Sequence, residues 1–164
     1  LTPLNSSKPP LTPFNQNMGD VNNICNTETW LYSDIVKDHF FNPRNFLKEE
    51  NPPADFKAYG NYGSPACGDE MKVWLKIDPA TKKIVGYLWK TFGCASAIAA
   101  ASMCSVMCLE GEGMAIDEAV KITPQMIVDR LGGLPPRKIH CSVLCDKALR
   151  LAIEDYLLNC KNVK

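Results

Sequence analysis

Charge of either sign in excess is the first thing missing: eighteen Lys and Arg are matched by eighteen Asp and Glu along 164 residues. That balance removes the usual electrostatic case for nucleic acid or an anionic membrane as the main partner. Histidine is scarce too, at two residues, so a site built from imidazoles alone is out of reach. No basic n-region followed by an apolar h-region opens the sequence, and no secretory signal is read. Long hydrophobic runs are also wanting. Thr91 to Leu109 carries no charge and approaches the length of a bilayer crossing. It is made largely of Ala, Ser, Cys and Gly, and no aromatic or basic anchors flank it as an interfacial belt would. A helix packed inside a folded domain is the expectation.

Cysteine is what the chain has in abundance, with eight at positions 25, 67, 94, 104, 108, 141, 145 and 160. Disulfide frameworks belong to small secreted domains that cannot build a core. This chain is longer, and 46% of its residues are apolar, so reduced thiols and an intracellular setting are expected. Residues 1–30 hold only Lys8, Asp20 and Glu28 as charges, with four prolines and six asparagines. They are expected to form a flexible leader, and the absence of arginine speaks against a transit peptide. Residues 31–164 are expected to form the folded domain.

Within that domain the patterns are legible. Ile35, Val36, His39 and Phe40 fit a helix from Tyr32 that stops near Asn42, because Pro43 disfavours helical backbone before it. Pro52 and Pro53 mark a loop, and a weak strand signal lies at 57–61. Met71, Val73, Leu75 and Ile77 alternate with polar or aromatic neighbours between Glu70 and Asp78, a half-buried strand. Asp78 to Lys83 supplies a turn and Ile84 to Lys90 a second antiparallel strand. An alanine-rich helix follows Gly93 as far as Glu110, and a short helix spans Ile116 to Ile122. Thr123 caps a helix with Pro124 at its first position, ended by Gly132 and Gly133. The last helix, Ser142 to Asn159, lines Cys145, Leu149, Ile153, Tyr156 and Cys160 along one face. Strands first and helices after predict an α+β fold, a small antiparallel sheet with helices packed on one face.

Three cysteines fall at element boundaries: Cys67, two residues before Asp69 and ahead of a strand; Cys94, after Gly93; and Cys141, after His140. Such positions leave side chains at the rim of a rigid core, and a helix N-terminus stabilises a thiolate. Their spacing fits no common zinc-finger rhythm. For any one of them the competing expectation is a small buried hydrophobe, and that reading is preferred for Cys104, Cys108, Cys145 and Cys160 inside helices. Cys25 has no assigned role. His39, on the apolar side of the first helix, is expected to be a hydrogen-bonded core or rim residue. Asp69 and Glu70 should face opposite sides of their strand.

Five segments then read together. They are Tyr32-Ser33-Asp34, 38–45 (DHFFNPRN), 63–69 (GSPACGD), 90–98 (KTFGCASAI) and 131–142 (LGGLPPRKIHCS). In this order they resemble the IscU/NifU family of iron–sulfur cluster assembly scaffolds, over a span from Tyr32 to the last helix. The resemblance implies a three-stranded antiparallel sheet with helices on one face. It implies Cys67, Cys94 and Cys141 as cluster ligands, with Asp69 and His140 as alternative fourth ligands; of the three cysteines, Cys141 is the candidate sulfur acceptor, because an exposed helix start leaves it reachable. It also implies that Leu134, Pro135, Pro136, Arg137 and Lys138 bind a DnaK-type chaperone with its co-chaperone. Arg137 departs there from an often apolar position.

What such a protein would do is not catalysis. It would assemble a transient [2Fe–2S] cluster, with [4Fe–4S] as the alternative, from iron and sulfur delivered by a cysteine desulfurase. Ferredoxin would supply electrons, a frataxin-like regulator would assist, and apo iron–sulfur proteins would receive the product. Lys90 is a possible auxiliary residue for steering anionic sulfur, or else a solvated strand-end lysine. The helical cysteines and Cys25 are outside the family pattern, and the ferredoxin-like and C-terminal domains of full-length NifU proteins are expected to be absent or to have been removed. The competing function is a zinc-bound sulfur acceptor of the SufU kind, since three cysteines with Asp or His make a good tetrahedral zinc set. His140 before the last cysteine, and no insertion in mid-chain, argue for the scaffold. A permanent electron carrier would show closely spaced cysteines in fours, which are lacking. The expected compartment is a prokaryotic cytoplasm, with the mitochondrial matrix as alternative.

Overall fold

The computed structural model describes residues 32–64 and 68–161, with the side chains of Ser64, of 140–143 and of 160–161 outside that description. Three strands, β1 (Ala58–Ser64), β2 (Asp69–Ile77) and β3 (Ile84–Phe92), form an antiparallel sheet in the order β1-β2-β3. Around it stand α1 (Asp34–Phe41), α2 (Ala95–Leu109), α3 (Ile116–Ala119), α4 (Pro124–Arg130), a 3-10 helix (Pro136–Ser142) and α5 (Val143–Lys161). This is the expected α+β class.

The alternation predicted for 70–78 holds over β2, where Met71, Val73 and Leu75 are buried. Its register puts Val73 opposite Trp89 and Leu75 opposite Tyr87, so these four side chains share one face of the pleat and form the floor of the core. The other face carries Tyr59 and Trp74, whose rings lie 5.4 Å apart, with Lys72 and Lys76 beside them in the alternation. Residues 45–47 extend the sheet beyond β3: Trp89 donates its N–H to the Asn45 carbonyl and Leu47 donates to Trp89.

α5 lies across β1 and β2, and α2 across β3. The weak signal for β1 has a packing cause. A Cβ on Gly60 would stand 2.1 Å from the Ala148 carbonyl oxygen and 2.5 Å from the Ala152 nitrogen. Only a glycine lets α5 settle this close, and glycine is a poor strand former. α5 answers with Ala148 and Ala152, both fully buried, between Leu149 and Ile153. α2 is buried on nearly every side from Ser96 to Cys108, which is why it shows no charged face. No helix among the described residues is long and apolar enough to cross a membrane.

Two of the boundaries that differ from expectation have a visible cause. α1 begins at Asp34 rather than Tyr32, because Ser33 accepts the Val36 N–H through its side chain and serves as N-cap. The proline-rich turn is a 3-10 helix that runs on through His140 and Cys141 before α5 begins at Val143. Proline suits a first helical position, and a short 3-10 segment leaves no amphipathic period to read. The short helix α3 ends at Ala119, and α4 has the expected Thr123 cap and Pro124 start.

Candidate functional site

The candidate residues lie on three chain segments, two of which meet at one end of the sheet. β2 starts at Asp69, after Gly68 turns the chain with a φ of +70°. β3 ends at Phe92, paired with Glu70, so Gly93 and Cys94 come next to Asp69. A Cβ on Gly93 would be 3.4 Å from both Cγ and Oδ2 of Asp69. The aspartate carboxylate thus lies against the backbone just before Cys94. Glu70 points to the opposite face, where Asn61 donates to it at 2.8 Å and Lys72 pairs with it at 3.4 Å. The two acidic neighbours part as the strand alternation required.

Cys94 is the N-cap of α2, in extended backbone, and its side chain makes no capping hydrogen bond. It is half-buried. The third segment is the 3-10 helix, packed against α2, α4 and α5. His140 and Cys141 lie on its backbone trace, and their side chains fall outside the described residues. So does Cys67 entirely. Among the described residues no three His, Cys, Asp or Glu side chains group as a metal site. Of the five candidates only Asp69 and Cys94 have described side chains.

Of the proposed chaperone-binding residues, Leu134 is buried, while Pro136 and Arg137 are exposed. Lys90 donates from Nζ to the Glu49 carbonyl at 3.3 Å, which ties the strand end to the preceding loop.

His39 is buried, as read from its helix face, with Nδ1 2.8 Å from Ser102 Oγ. Ser102 Oγ also accepts the Arg44 N–H at 2.9 Å. The hydroxyl proton is then available for Nδ1, which fits a neutral ring protonated at Nε2. Burial first, and the nearby Arg44 guanidinium second, hold the His39 pKa below its ordinary value. One turn on, Ser105 accepts from Asn45 Nδ2 at 2.9 Å and donates to the Ser102 carbonyl. Trp89 Nε1 donates to the Arg44 carbonyl at 2.7 Å. The 38–45 motif is thereby a structural joint between α1, β3 and α2.

Cys104, Cys108 and Cys145 are fully buried, as expected of small hydrophobes. The fold also makes them neighbours. Tyr87 directs its hydroxyl at Cys104 Sγ, 3.8 Å away, and Cys145 Sγ lies 3.7 Å from the Ala100 carbonyl oxygen. Hydrogen bonds to Cys104 and burial push the Cys108 and Cys145 thiols up. Neutral Cys108 and Cys145 thiols follow. The Cys160 side chain and Cys25 lie outside the described residues.

Two residues near the site were read from sequence only as part of the Tyr32-Ser33-Asp34 motif, with no contact assigned to either. Tyr32 places its hydroxyl 3.1 Å from Ser96 Oγ, and Ser33 donates to the Leu131 carbonyl at 2.5 Å. The signal for Ser33 was present as a serine three residues ahead of the apolar Val36, the pattern of an N-cap.

The family model described as NifU-like N terminal domain matches residues 31–163. The chain is 46% identical over 126 residues to the iron-sulfur cluster assembly scaffold protein IscU 1 of Archaeoglobus fulgidus, covering 77% of this chain and 76% of that protein. It is 44% identical over 127 residues to the IscU of Aquifex aeolicus, with 77% and 76% covered. Against the nitrogen fixation protein NifU of Nostoc, identity is 41% over 129 residues, covering 77% of this chain and 42% of that longer protein. Among solved structures, the N-terminal part of a NifU-like protein from Brucella abortus superposes with a TM-score of 0.57 at 15% identity, covering 78% and 95% of the two chains. A putative SUF-system scaffold from Fervidobacterium islandicum gives 0.54 at 22%, covering 76% and 97%. At those identities the likeness is one of fold. The identities to the IscU proteins and the match across residues 31–163 carry the assignment: this chain belongs to the NifU-like N-terminal domain family.

Proposed function

We propose that this protein is a scaffold on which an iron–sulfur cluster is built and then passed to apo-proteins, with Cys67, Cys94 and Cys141 as cluster ligands. The observation that carries the reading is the placement of the Asp69 carboxylate against Gly93, beside Cys94, in a chain 46% identical to a protein named as a cluster assembly scaffold. The cluster is cargo. Thiolates are soft ligands suited to iron and sulfide, whereas a carboxylate oxygen is harder and holds them less firmly. A site that combines them retains a cluster and yet releases it. Asp69 and His140 serve in turn as the fourth ligand.

In this scheme the Cys141 thiolate attacks the outer sulfur of a desulfurase persulfide, forming a persulfide on Cys141 and returning the desulfurase cysteine as thiolate. Reducing two transferred sulfurs to sulfide takes four electrons, two from a pair of reduced ferredoxins and two from the ferrous irons, which become ferric in the [2Fe–2S] unit, and each reduction frees the Cys141 thiolate. A frataxin-like regulator assists this step, and the DnaK-type chaperone with its co-chaperone engages 134–138 to loosen the product. The setting is a prokaryotic cytoplasm, or a mitochondrial matrix in the alternative.

Anaerobic reconstitution with a cysteine desulfurase, cysteine, ferrous iron and a thiol reductant tests this. Visible charge-transfer absorption should grow on the chain and pass to an added apo-ferredoxin. Absorption that never moves to the acceptor, or a chain that takes up only zinc, overturns the scaffold reading in favour of a carrier or a zinc-bound sulfur acceptor.

A further inference from the structure

Two consecutive residues at the entrance to α1 reach two chain segments that carry candidate ligands. The Tyr32 hydroxyl meets Ser96 Oγ at 3.1 Å. Ser96 is fully buried and lies in the first turn of α2, two residues after Cys94. Ser33 Oγ donates to the Leu131 carbonyl at 2.5 Å while it accepts the Val36 N–H at 3.1 Å. Leu131 is fully buried and opens the Leu131–Ile139 stretch that leads into His140 and Cys141.

The residue after Leu131 also faces Ser33, at ordinary contact distance. A Cβ on Gly132, whose φ is +74°, would lie 3.5 Å from Cβ and Oγ of Ser33 and 3.8 Å from Ile35 Cδ1. Gly132 and Gly133 donate to the Asp129 and Val128 carbonyls, which closes the end of α4, and Lys138 donates to Pro135 at 2.7 Å. The segment is therefore held at Leu131 to Gly133, and then continues through the 3-10 helix to the third candidate cysteine.

We propose that Tyr32 and Ser33 form a clamp that sets the spacing between Cys94 and the His140–Cys141 segment, with Ser33 as a positioning residue for cluster assembly. This rests on the scaffold reading. Both bonds leave one short, helix-anchored stretch, so a shift of α1 moves both arms together rather than apart. Ligands of a metal–sulfide cluster tolerate only small errors in separation, and hydrogen bonds from a rigid element are the means of holding them.

The two roles of Ser33 can be separated chemically. Threonine retains both the cap and the donated hydrogen bond. Aspartate retains the cap, since its carboxylate accepts the Val36 N–H, but has no proton to donate and faces the Leu131 carbonyl with negative charge. The full chain carrying Ser33→Thr, Ser33→Asp or Tyr32→Phe is compared with wild type by anaerobic reconstitution and by backbone amide exchange at Gly133 and Lys138. Ser33→Thr should match wild type in both. Ser33→Asp should form cluster roughly fivefold more slowly, the effect of one lost hydrogen bond on positioning, with faster exchange at both amides and an altered visible circular dichroism of the cluster. Tyr32→Phe should slow assembly with unchanged exchange at Lys138, because its bond reaches the Cys94 side only.

Wild-type assembly in Ser33→Asp, whatever its exchange rates, overturns the positioning role. Slow assembly in Ser33→Thr does the same, since both hydrogen bonds persist there. If the wild-type chain itself acquires no cluster, the scaffold reading fails, and exchange at Gly133 and Lys138 still decides whether Ser33 holds the segment.

Discussion

The Asp69 carboxylate rests against Gly93 so closely that a Cβ there would meet its Cγ and Oδ2 at 3.4 Å and the Ala97 Cβ at 3.1 Å. An alanine at 93 must push one of these away. Gly93→Ala is expected to destabilise by about 1 kcal/mol through overpacking. It should also alter cluster lifetime, because the added methyl group would stand in contact with the Asp69 carboxylate beside Cys94. Denaturant midpoints together with the decay of visible absorption measure the two effects, and an unchanged lifetime would separate Asp69 from cluster release.

Direct removal of the proposed ligands should split them by role. Cys94→Ala is expected to abolish cluster formation, whereas Asp69→Ala should leave assembly in place and lengthen the life of the cluster. Chelator challenge of the reconstituted protein gives the lifetime. A shorter-lived cluster in the aspartate variant would make Asp69 a needed anchor instead of a labilising one.

His39 supplies a pH prediction with a definite sign. Burial lowers its pKa in the folded chain, so the unfolded chain takes up the proton first as pH falls. Stability is then full above the ordinary histidine value of about 6.5 and declines below it, until the folded-state value is passed. Urea midpoints of wild type should fall between about pH 7.5 and about pH 5.5, and His39→Gln should show a smaller fall. Parallel slopes for the two proteins would refute the assignment.

The thiol cluster around Tyr87 should matter for stability and not for assembly. Cys104→Ala and Cys145→Ala each remove a fully buried sulfur, at a cost of about 1 kcal/mol. Reconstitution should proceed at the wild-type rate in both. Failure to assemble in a variant that folds would move that cysteine from the core to the site.

Gly60 gives the sharpest stability test. With the Ala148 carbonyl oxygen 2.1 Å from where a Cβ would lie, Gly60→Ala must lift α5 from the sheet. A loss of about 3 kcal/mol is expected, the upper end of the overpacking range. Thermal unfolding of the apo-protein reads it directly.

Much of the architecture was written in local chemistry. The period-two run from Met71 to Ile77, the Thr123–Pro124 start of α4 and the Gly132–Gly133 stop each depend on near neighbours along the chain, and each formed where it was read. His39 was placed correctly for the same reason, since the face of a helix is a local property. The three boundary cysteines, with Asp69 and His140, were likewise visible as motifs.

What the sequence could not specify depends on contacts between distant segments. β1 was faint because its glycine answers to Ala148 and Ala152, some ninety residues away, rather than to strand propensity. Cys104, Cys108 and Cys145 read singly as core residues, and only the packing of α2 against α5 made them one hydrogen-bonded group with Tyr87. Above all, no local pattern said that Asp69 would lie against Gly93, or that Tyr32 and Ser33 would reach Ser96 and Leu131. The sequence by itself determined which residues can bear the chemistry; strand register and helix packing decided which of them stand side by side.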